Sequence, residues 1–234
     1  MRTKTLVLTA VLSVAGAAAS FAQAVYSVNA VGYVNLTFTR AGFYIVANPL
    51  NNGNNQIGTV IPNPPDSTTV FRFNNGQFGD APTFVVNAGW FNSTGPATDV
   101  LAPGEAFFLQ LPAAATYPVT LTFIGEVPQG TSITNPVTLR ANAFSLLASQ
   151  VPVSAGLLST NIMQFPAADG DTVYLFDGAT QQYRESFNYV AAAGTWFNST
   201  GPTNPTPAVA EGFWLFSGAT TSRTWTRSFS TQTP

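Results

Sequence analysis

Seven residues, Trp90-Phe91-Asn92-Ser93-Thr94-Gly95-Pro96, recur letter for letter as Trp196-Phe197-Asn198-Ser199-Thr200-Gly201-Pro202, 106 positions later. The same offset carries Glu105, Phe107, Phe108 and Leu109 onto Glu211, Phe213, Trp214 and Leu215. An offset of 103 carries Asp66 and Val70-Phe71-Arg72-Phe73 onto Asp169 and Val173-Tyr174-Leu175-Phe176. Unrelated segments do not hold register in this way, and small insertions between matched strands account for the drift. A period of about 100 residues is too long for a solenoid unit and fits a duplicated small domain. The expectation is therefore two tandem modules, residues 33–130 and 131–234, with residues 25–32 as a short N-terminal strand or linker.

The first 24 residues carry Arg2 and Lys4, then an apolar run, then Ala22-Gln23-Ala24. This is the pattern of a secretory signal peptide, with cleavage expected between Ala24 and Val25. No other stretch has the length and apolarity of a membrane span, and with no cysteine neither a thioether lipid anchor nor a disulfide is open to the chain. The reading is export to the cell surface or medium without membrane insertion, with each module held by core packing.

Only 8% of the residues are charged. Arg2 and Lys4 leave with the signal, so six of the eight basic residues remain against ten acidic ones, a net charge of −4 with no lysine. Singly scattered arginines on an acidic chain argue against nucleic acid and anionic membranes as partners. Hydrophobic residues at 45% and aromatic ones at 13% supply enough apolar surface for two folded cores.

The fold class follows from periodicity. Val28, Ala30, Val34, Leu36 and Phe38 alternate with polar neighbours, as do Tyr117, Val119, Leu121 and Phe123, and Trp225, Arg227 and Phe229. A period of two marks half-buried strands. Phe43-Tyr44-Ile45-Val46-Ala47 is a continuous apolar run closed by Asn48-Pro49 and reads as a buried strand. Asn74-Asn75-Gly76 and Asp177-Gly178 are hairpin turns, since Asn and Gly tolerate positive φ. A single helical turn is expected at 57–61 and a second helical candidate near 157–163. Many short strands divided by Gly, Pro and Asn predict an all-β protein of two internally repeated antiparallel sandwich or barrel-like modules.

The order Phe43-Tyr44-Ile45-Val46-Ala47-Asn48-Pro49, a Val-Phe-x-Phe hairpin, Pro103-Gly104-Glu105-Ala106-Phe107-Phe108 and Thr120-Leu121-Thr122-Phe123-Ile124-Gly125 resembles small β modules of secreted surface proteins from environmental Gram-negative bacteria. There the runs are typically aromatic-x-Leu-Ile-x-Asn-Pro and Pro-Gly-x-x-Phe-Phe. The resemblance implies secretion and a β fold, and no chemistry. The second module departs from it at Ser149-Gln150-Val151-Pro152 and Ala210-Glu211-Gly212.

Without His or Cys, the Ser-His-Asp and Cys-His mechanisms and the usual zinc, copper and haem sites are excluded. No catalytic residue and no cofactor is assigned. Glu105 and Glu211 form the repeat-related pair that a carboxylate-based glycosidase would need, set against the reading that each caps a turn in its own module. Asp169, Asp171 and Asp177 form a calcium candidate, set against turn-forming aspartates before a hairpin. The duplicated loops supply the expected ligand-binding residues: Trp90 and Trp196 as rings for a sugar face, and Asn92, Ser93, Asn198 and Ser199 as hydrogen-bonding partners. The competing account has both indoles plugging the cores, with Asn-Ser-Thr-Gly-Pro as an exit turn. The functional reading is a non-enzymatic structural or interaction protein. Its expected partner is a second copy, reached by residues 25–38 adding to a neighbour's sheet edge, or a surface polysaccharide.

Overall fold

The structure, a computed structural model, describes residues 30–231. Residues 1–24, the Ala24–Val25 cleavage site and most of the expected linker lie outside the described residues. The first module contains β1 (Val31–Phe38), β2 (Gly42–Ala47), α1 (Ile57–Val60), β3 (Thr69–Asn74), β4 (Gln77–Phe78), β5 (Thr83–Val85), β6 (Gly89–Asn92), β7 (Gly95–Pro96), β8 (Ala106–Leu111) and β9 (Val119–Glu126). The second contains β10 (Gly130–Thr134), β11 (Phe144–Ala148), β12 (Thr172–Asp177), β13 (Gln182–Tyr183), β14 (Phe187–Val190), β15 (Thr195–Asn198), β16 (Gly201–Thr203), β17 (Gly212–Phe216) and β18 (Thr226–Phe229).

Each module is one antiparallel sheet and one two-stranded ribbon. The first sheet runs β2-β8-β3-β5-β6-β7 with β4 paired to β3, and β1 pairs with β9. The second runs β11-β17-β12-β14-β15-β16 with β13 paired to β12, and β10 pairs with β18. The orders are identical strand for strand, so the chain is all-β with two tandem repeated modules.

The ribbon packs on one face of its own sheet. Phe38, Leu121 and Phe123 from the first ribbon close over Val46, Val70, Trp90, Phe107 and Leu109. The second core gathers Leu139, Leu147, Val173, Trp196, Phe213 and Trp225. The opposite faces of the two sheets meet each other through Ile45, Ala47, Ala106, Leu146 and Ala148. Four layers result, ribbon, sheet, sheet, ribbon, and this arrangement explains the continuous apolar run of β2. Tyr44 and Val46 face their own core while Ile45 and Ala47 face the other module, so from Tyr44 to Ala47 neither face of the strand is given to solvent.

The seam obeys an internal two-fold relation. Ala47 N–H donates to Ala210 O and Ala148 N–H to Gly104 O, each at 3.0 Å; by strand register Ala47 corresponds to Ala148 and Gly104 to Ala210. Single bridges Val46 to Glu211 and Glu105 to Leu147 repeat the symmetry. The seam is thus an isologous contact made within one chain.

Residues 31–38 pair over their whole length with β9 of their own module, which leaves one edge of β1 open. One expectation is corrected here. The helical candidate near 157–163 is a set of turns in which Leu157 and Met163 are buried and Leu157 N–H donates to Pro205 O. The single turn at 57–61 forms as α1, and no helix among the described residues is long and apolar enough to cross a membrane.

Candidate functional site

The strands that build the seam carry aromatic residues on the face turned away from their own core. On β3, Val70 is buried while Phe71 and Phe73 point to the seam side; on β12, Val173 and Leu175 are buried while Tyr174 and Phe176 take the corresponding places. Register pairs Phe43 with Phe144, Phe71 with Tyr174, Phe73 with Phe176, Phe78 with Tyr183 and Phe108 with Trp214 across the two modules. Ten aromatic rings therefore line one side of the seam in two related sets.

They enclose two adjoining hollows. One, of about 640 Å³, is lined by Phe73, Phe78, Phe108, Phe144, Tyr174, Tyr183 and Trp214. The other, of about 400 Å³, is lined by Phe43, Phe71, Phe78, Phe108, Phe176 and Gln181. The rings hold one another edge to face, with Phe73 to Trp214 at 4.6 Å, Phe78 to Phe73 at 5.2 Å and Phe144 to Trp214 at 5.9 Å. Such contacts are each worth about 0.5–1.5 kcal/mol beyond burial. The rims remain open, since Phe78 and Tyr183 are each 50% exposed and Phe144 44%.

None of these lining residues is charged, and their polar atoms are largely engaged already. Trp214 Nε1–H donates to the Tyr183 hydroxyl at 3.0 Å. The Gln181 amide accepts from Phe43 N–H at 2.7 Å and donates to Phe43 O at 2.8 Å. What the groove offers is polarisable apolar surface.

The residues expected to bind ligand lie elsewhere and have structural duties. Trp90 is 4% exposed and Trp196 fully buried, each in its module's core, and Trp90 Nε1–H donates to Ile61 O at 2.9 Å. Neither ring presents a face to solvent, so the stacking role expected of them is corrected to that of core plugs. Asn92 Oδ1 accepts from Thr94 N–H and Oγ1–H at 3.0 and 2.8 Å, and Asn198 Oδ1 binds Thr200 identically at 3.0 and 2.7 Å. Ser93 donates its N–H and hydroxyl to Asp80, and Ser199 its N–H to Glu185. These bonds hold the Asp80 carboxyl below its ordinary pKa.

The whole repeat is a sheet terminator. Trp anchors the hairpin to the core, Asn-Ser-Thr turns it, and Gly-Pro makes a last strand of two or three residues. Proline offers no N–H to another chain, which blunts this edge.

The acidic candidates are likewise bound up in structure. Glu105 accepts from Arg72 Nε at 2.7 Å, while Arg72 Nη1 reaches Asp99 at 3.2 Å. Glu211 pairs with Arg184 and accepts from Ala208 N–H at 2.7 Å; burial still pushes its pKa up. The cations come from different positions. Arg72 exchanges a backbone bond with Gly79 in the first module, and Leu175 with Arg184 in the second, so arginine sits on opposite members of one cross-strand pair. Asp171 is fully buried against Arg223 at 2.8 and 2.9 Å, whereas Asp169 and Asp177 accept backbone N–H from Ala191 and Ala179. Asp169, Asp171 and Asp177 are not brought to one point: no group of three or more metal-ligating side chains converges among the described residues.

No family model matches the chain, and neither a curated protein nor a solved structure matches it.

Proposed function

We propose that this is a secreted, non-enzymatic interaction protein whose ligand-contacting surface is the aromatic groove along the module seam. The observation that carries this reading is the exposure of Phe78, Phe144 and Tyr183 over rings that neither core requires. A monomer has no reason to keep such a cluster half open unless something covers it. Export rests on the signal-like residues 1–24.

The groove suits an apolar or aromatic ligand better than a sugar. Glycan sites surround their rings with polar groups that bind hydroxyls, whereas here the Tyr183 hydroxyl and Gln181 amide are engaged within the protein. The uncharged dye N-phenyl-1-naphthylamine is the direct probe. Trp214 lines the groove while Trp90, Trp196 and Trp225 are buried in the cores, so bound dye is expected to quench Trp214 emission by energy transfer. The double variant Phe78→Ser, Tyr183→Ser should weaken binding by about tenfold or more, as loss of central aromatic contacts does. Dye affinity unchanged in that variant, or quenching by neutral oligosaccharides in preference to the dye, would reject the assignment.

A second reading, self-association, has its own observation. β1 pairs with β9 without a bulge, carries no charge and no proline, and exposes Val31 and Tyr33. Val127 N–H bonds Ala30 O, while Glu126 turns its backbone outward to Asn51. Alternation along the ribbon then leaves the peptide groups of Val31, Tyr33, Asn35 and Thr37 on the open edge. If two copies join there, light scattering will give twice the chain mass, and Tyr33→Lys will return it to one. A monomeric native protein at high concentration sinks the reading.

A further inference from the structure

The two halves of the groove differ because the hairpins that flank it differ in length. β12 and β13 are joined by four residues, 178–181, and β3 and β4 by two, Asn75 and Gly76. Each hairpin leans across the seam onto the other module. The longer one is gripped there: Arg40 Nη1 donates to Ala179 O at 2.8 Å, and Gln181 ties to the Phe43 backbone. The shorter one meets Arg140, whose Arg-Ala pair repeats Arg40-Ala41, at Gly76, and the guanidinium lies where a Cβ on that residue would stand.

Arg140 is consequently left over. Of the six arginines among the described residues, Arg72, Arg184 and Arg223 pair with carboxylates, and Arg40 and Arg227 donate to backbone or side-chain acceptors. The Arg140 guanidinium makes no hydrogen bond and no ion pair among those residues, although its backbone N–H bonds Ser145. In a chain with so few charges this is a cation that the fold itself does not use.

The missing two residues also leave space. A cleft of about 530 Å³ opens beside the short hairpin, walled by Asn74, Asn75, Gly76, Thr138, Arg140 and Ser145, with Phe73 and Phe144 among its remaining lining. Those two rings also line the larger aromatic hollow. Aromatic hollow and polar cleft are therefore continuous on this side of the seam. Arg72 and Glu105 also line the cleft, with Arg72 paired to both Glu105 and Asp99, so Arg140 is the one lining cation that no carboxylate contacts among the described residues.

We propose that the groove and this cleft form one site for an amphiphilic anion, its apolar or aromatic body lying on Phe73, Phe144 and Trp214 and its carboxylate or sulfonate held by Arg140. The proposal rests on the groove being the ligand surface and adds the charge its ligand carries. A guanidinium offers a planar donor pair to such a group. The neighbouring Asn75 side-chain amide supplies a neutral donor.

Two dyes with one aromatic body isolate the added step. 8-Anilinonaphthalene-1-sulfonate is N-phenyl-1-naphthylamine with an anionic group. The native protein should bind the anionic dye more tightly than the neutral one. Arg140→Gln, at a half-exposed side chain with no bond to lose, should weaken the anionic dye by about tenfold and leave the neutral dye unchanged. Replacing Asn75-Gly76 by Gly-Ala-Thr-Gln, the longer hairpin's own loop, should give Arg140 a carbonyl and reduce the anionic preference in the same way. Equal affinities for the anionic dye in native protein and Arg140→Gln would overturn the proposal while leaving the groove intact. Equal weakening of both dyes would also overturn it, by making Arg140 a support for the rings. Failure of the native protein to bind either dye removes the groove reading itself and the anion site with it.

Discussion

Replacing Trp196 by Ala is expected to lower the unfolding free energy by about 3–5 kcal/mol, and Trp90→Ala by a similar amount, with the loss read from urea denaturation. Trp196 packs against Tyr189 at 5.2 Å and Phe165 at 6.2 Å, and Trp90 against Phe84 at 5.6 Å. Truncation leaves a cavity where the ribbon closes on the sheet, and it frees the terminal hairpin that the ring anchors. The two sites separate under a gentler change. Among the described residues the Trp196 Nε1–H has no hydrogen-bond partner, whereas that of Trp90 is bonded to Ile61 O. Trp90→Phe should therefore cost about 1 kcal/mol more than Trp196→Phe, the usual net worth of a buried hydrogen bond together with the carbonyl it leaves unpaired. If either Trp→Ala variant kept native stability, the core-plug assignment would fail and the loops would again be candidates for ligand contact.

Much of the fold was legible from the chain because its information is local or repeated. Alternation at 119–123 named the inward side of β9, and Asn75-Gly76 takes up the positive φ values of 53° and 86° that a two-residue hairpin demands. The repeat gave the module plan because each strand order had to be written twice. Arg227 illustrates a limit. It occupies the place of Leu121 in the alternation, yet is 1% exposed, bonded to Ile162 O and Ser149 Oγ, with its pKa pushed down to about 10 by burial. Periodicity names a strand and its phase, and says nothing of how a cation will be satisfied inside.

The site was harder to see because it belongs to the seam. Loop identity drew attention to Trp90-Phe91-Asn92-Ser93-Thr94, but identical loops are what two identical sheet ends need. The usable signal was aromatic residues matched to aromatic residues at positions out of phase with the core: Phe71 to Tyr174, Phe73 to Phe176, Phe108 to Trp214. A buried β face needs shape complementarity and is served by aliphatic residues. Aromatic matching on the opposite face points to a second surface, and whether that surface closes on the other module or on solvent depends on long-range packing. The exposed edge of the cluster arises only because the seam centre is made of small residues, Ala47, Ala106, Ala148 and Gly212, which bring the sheets together there.

Gly212 tests that centre. It corresponds to Ala106, and the two meet at the internal two-fold. A Cβ on Gly212 would stand 2.5 Å from Ala106 Cβ and 2.6 Å from Ile45 Cγ2, and its φ is not among the positive values of the chain's glycines. The residue is therefore glycine for proximity alone, and a symmetric seam with two alanines would collide on its own axis. Gly212→Ala is expected to cost about 1–3 kcal/mol by overpacking, and Gly212→Val more. Because each module keeps a separate core, the larger side chain should split urea unfolding into two transitions as the seam opens before either core melts. Adding Ala106→Gly to Gly212→Ala should recover part of the loss, the remainder being the clash with Ile45. Trp214 is the next residue on the same face of β17, so seam opening should also abolish dye quenching in Gly212→Val under conditions where both cores persist. A single unshifted transition in Gly212→Val would show that the sheets do not meet at Gly212 and Ala106, and would remove the support on which the aromatic groove stands.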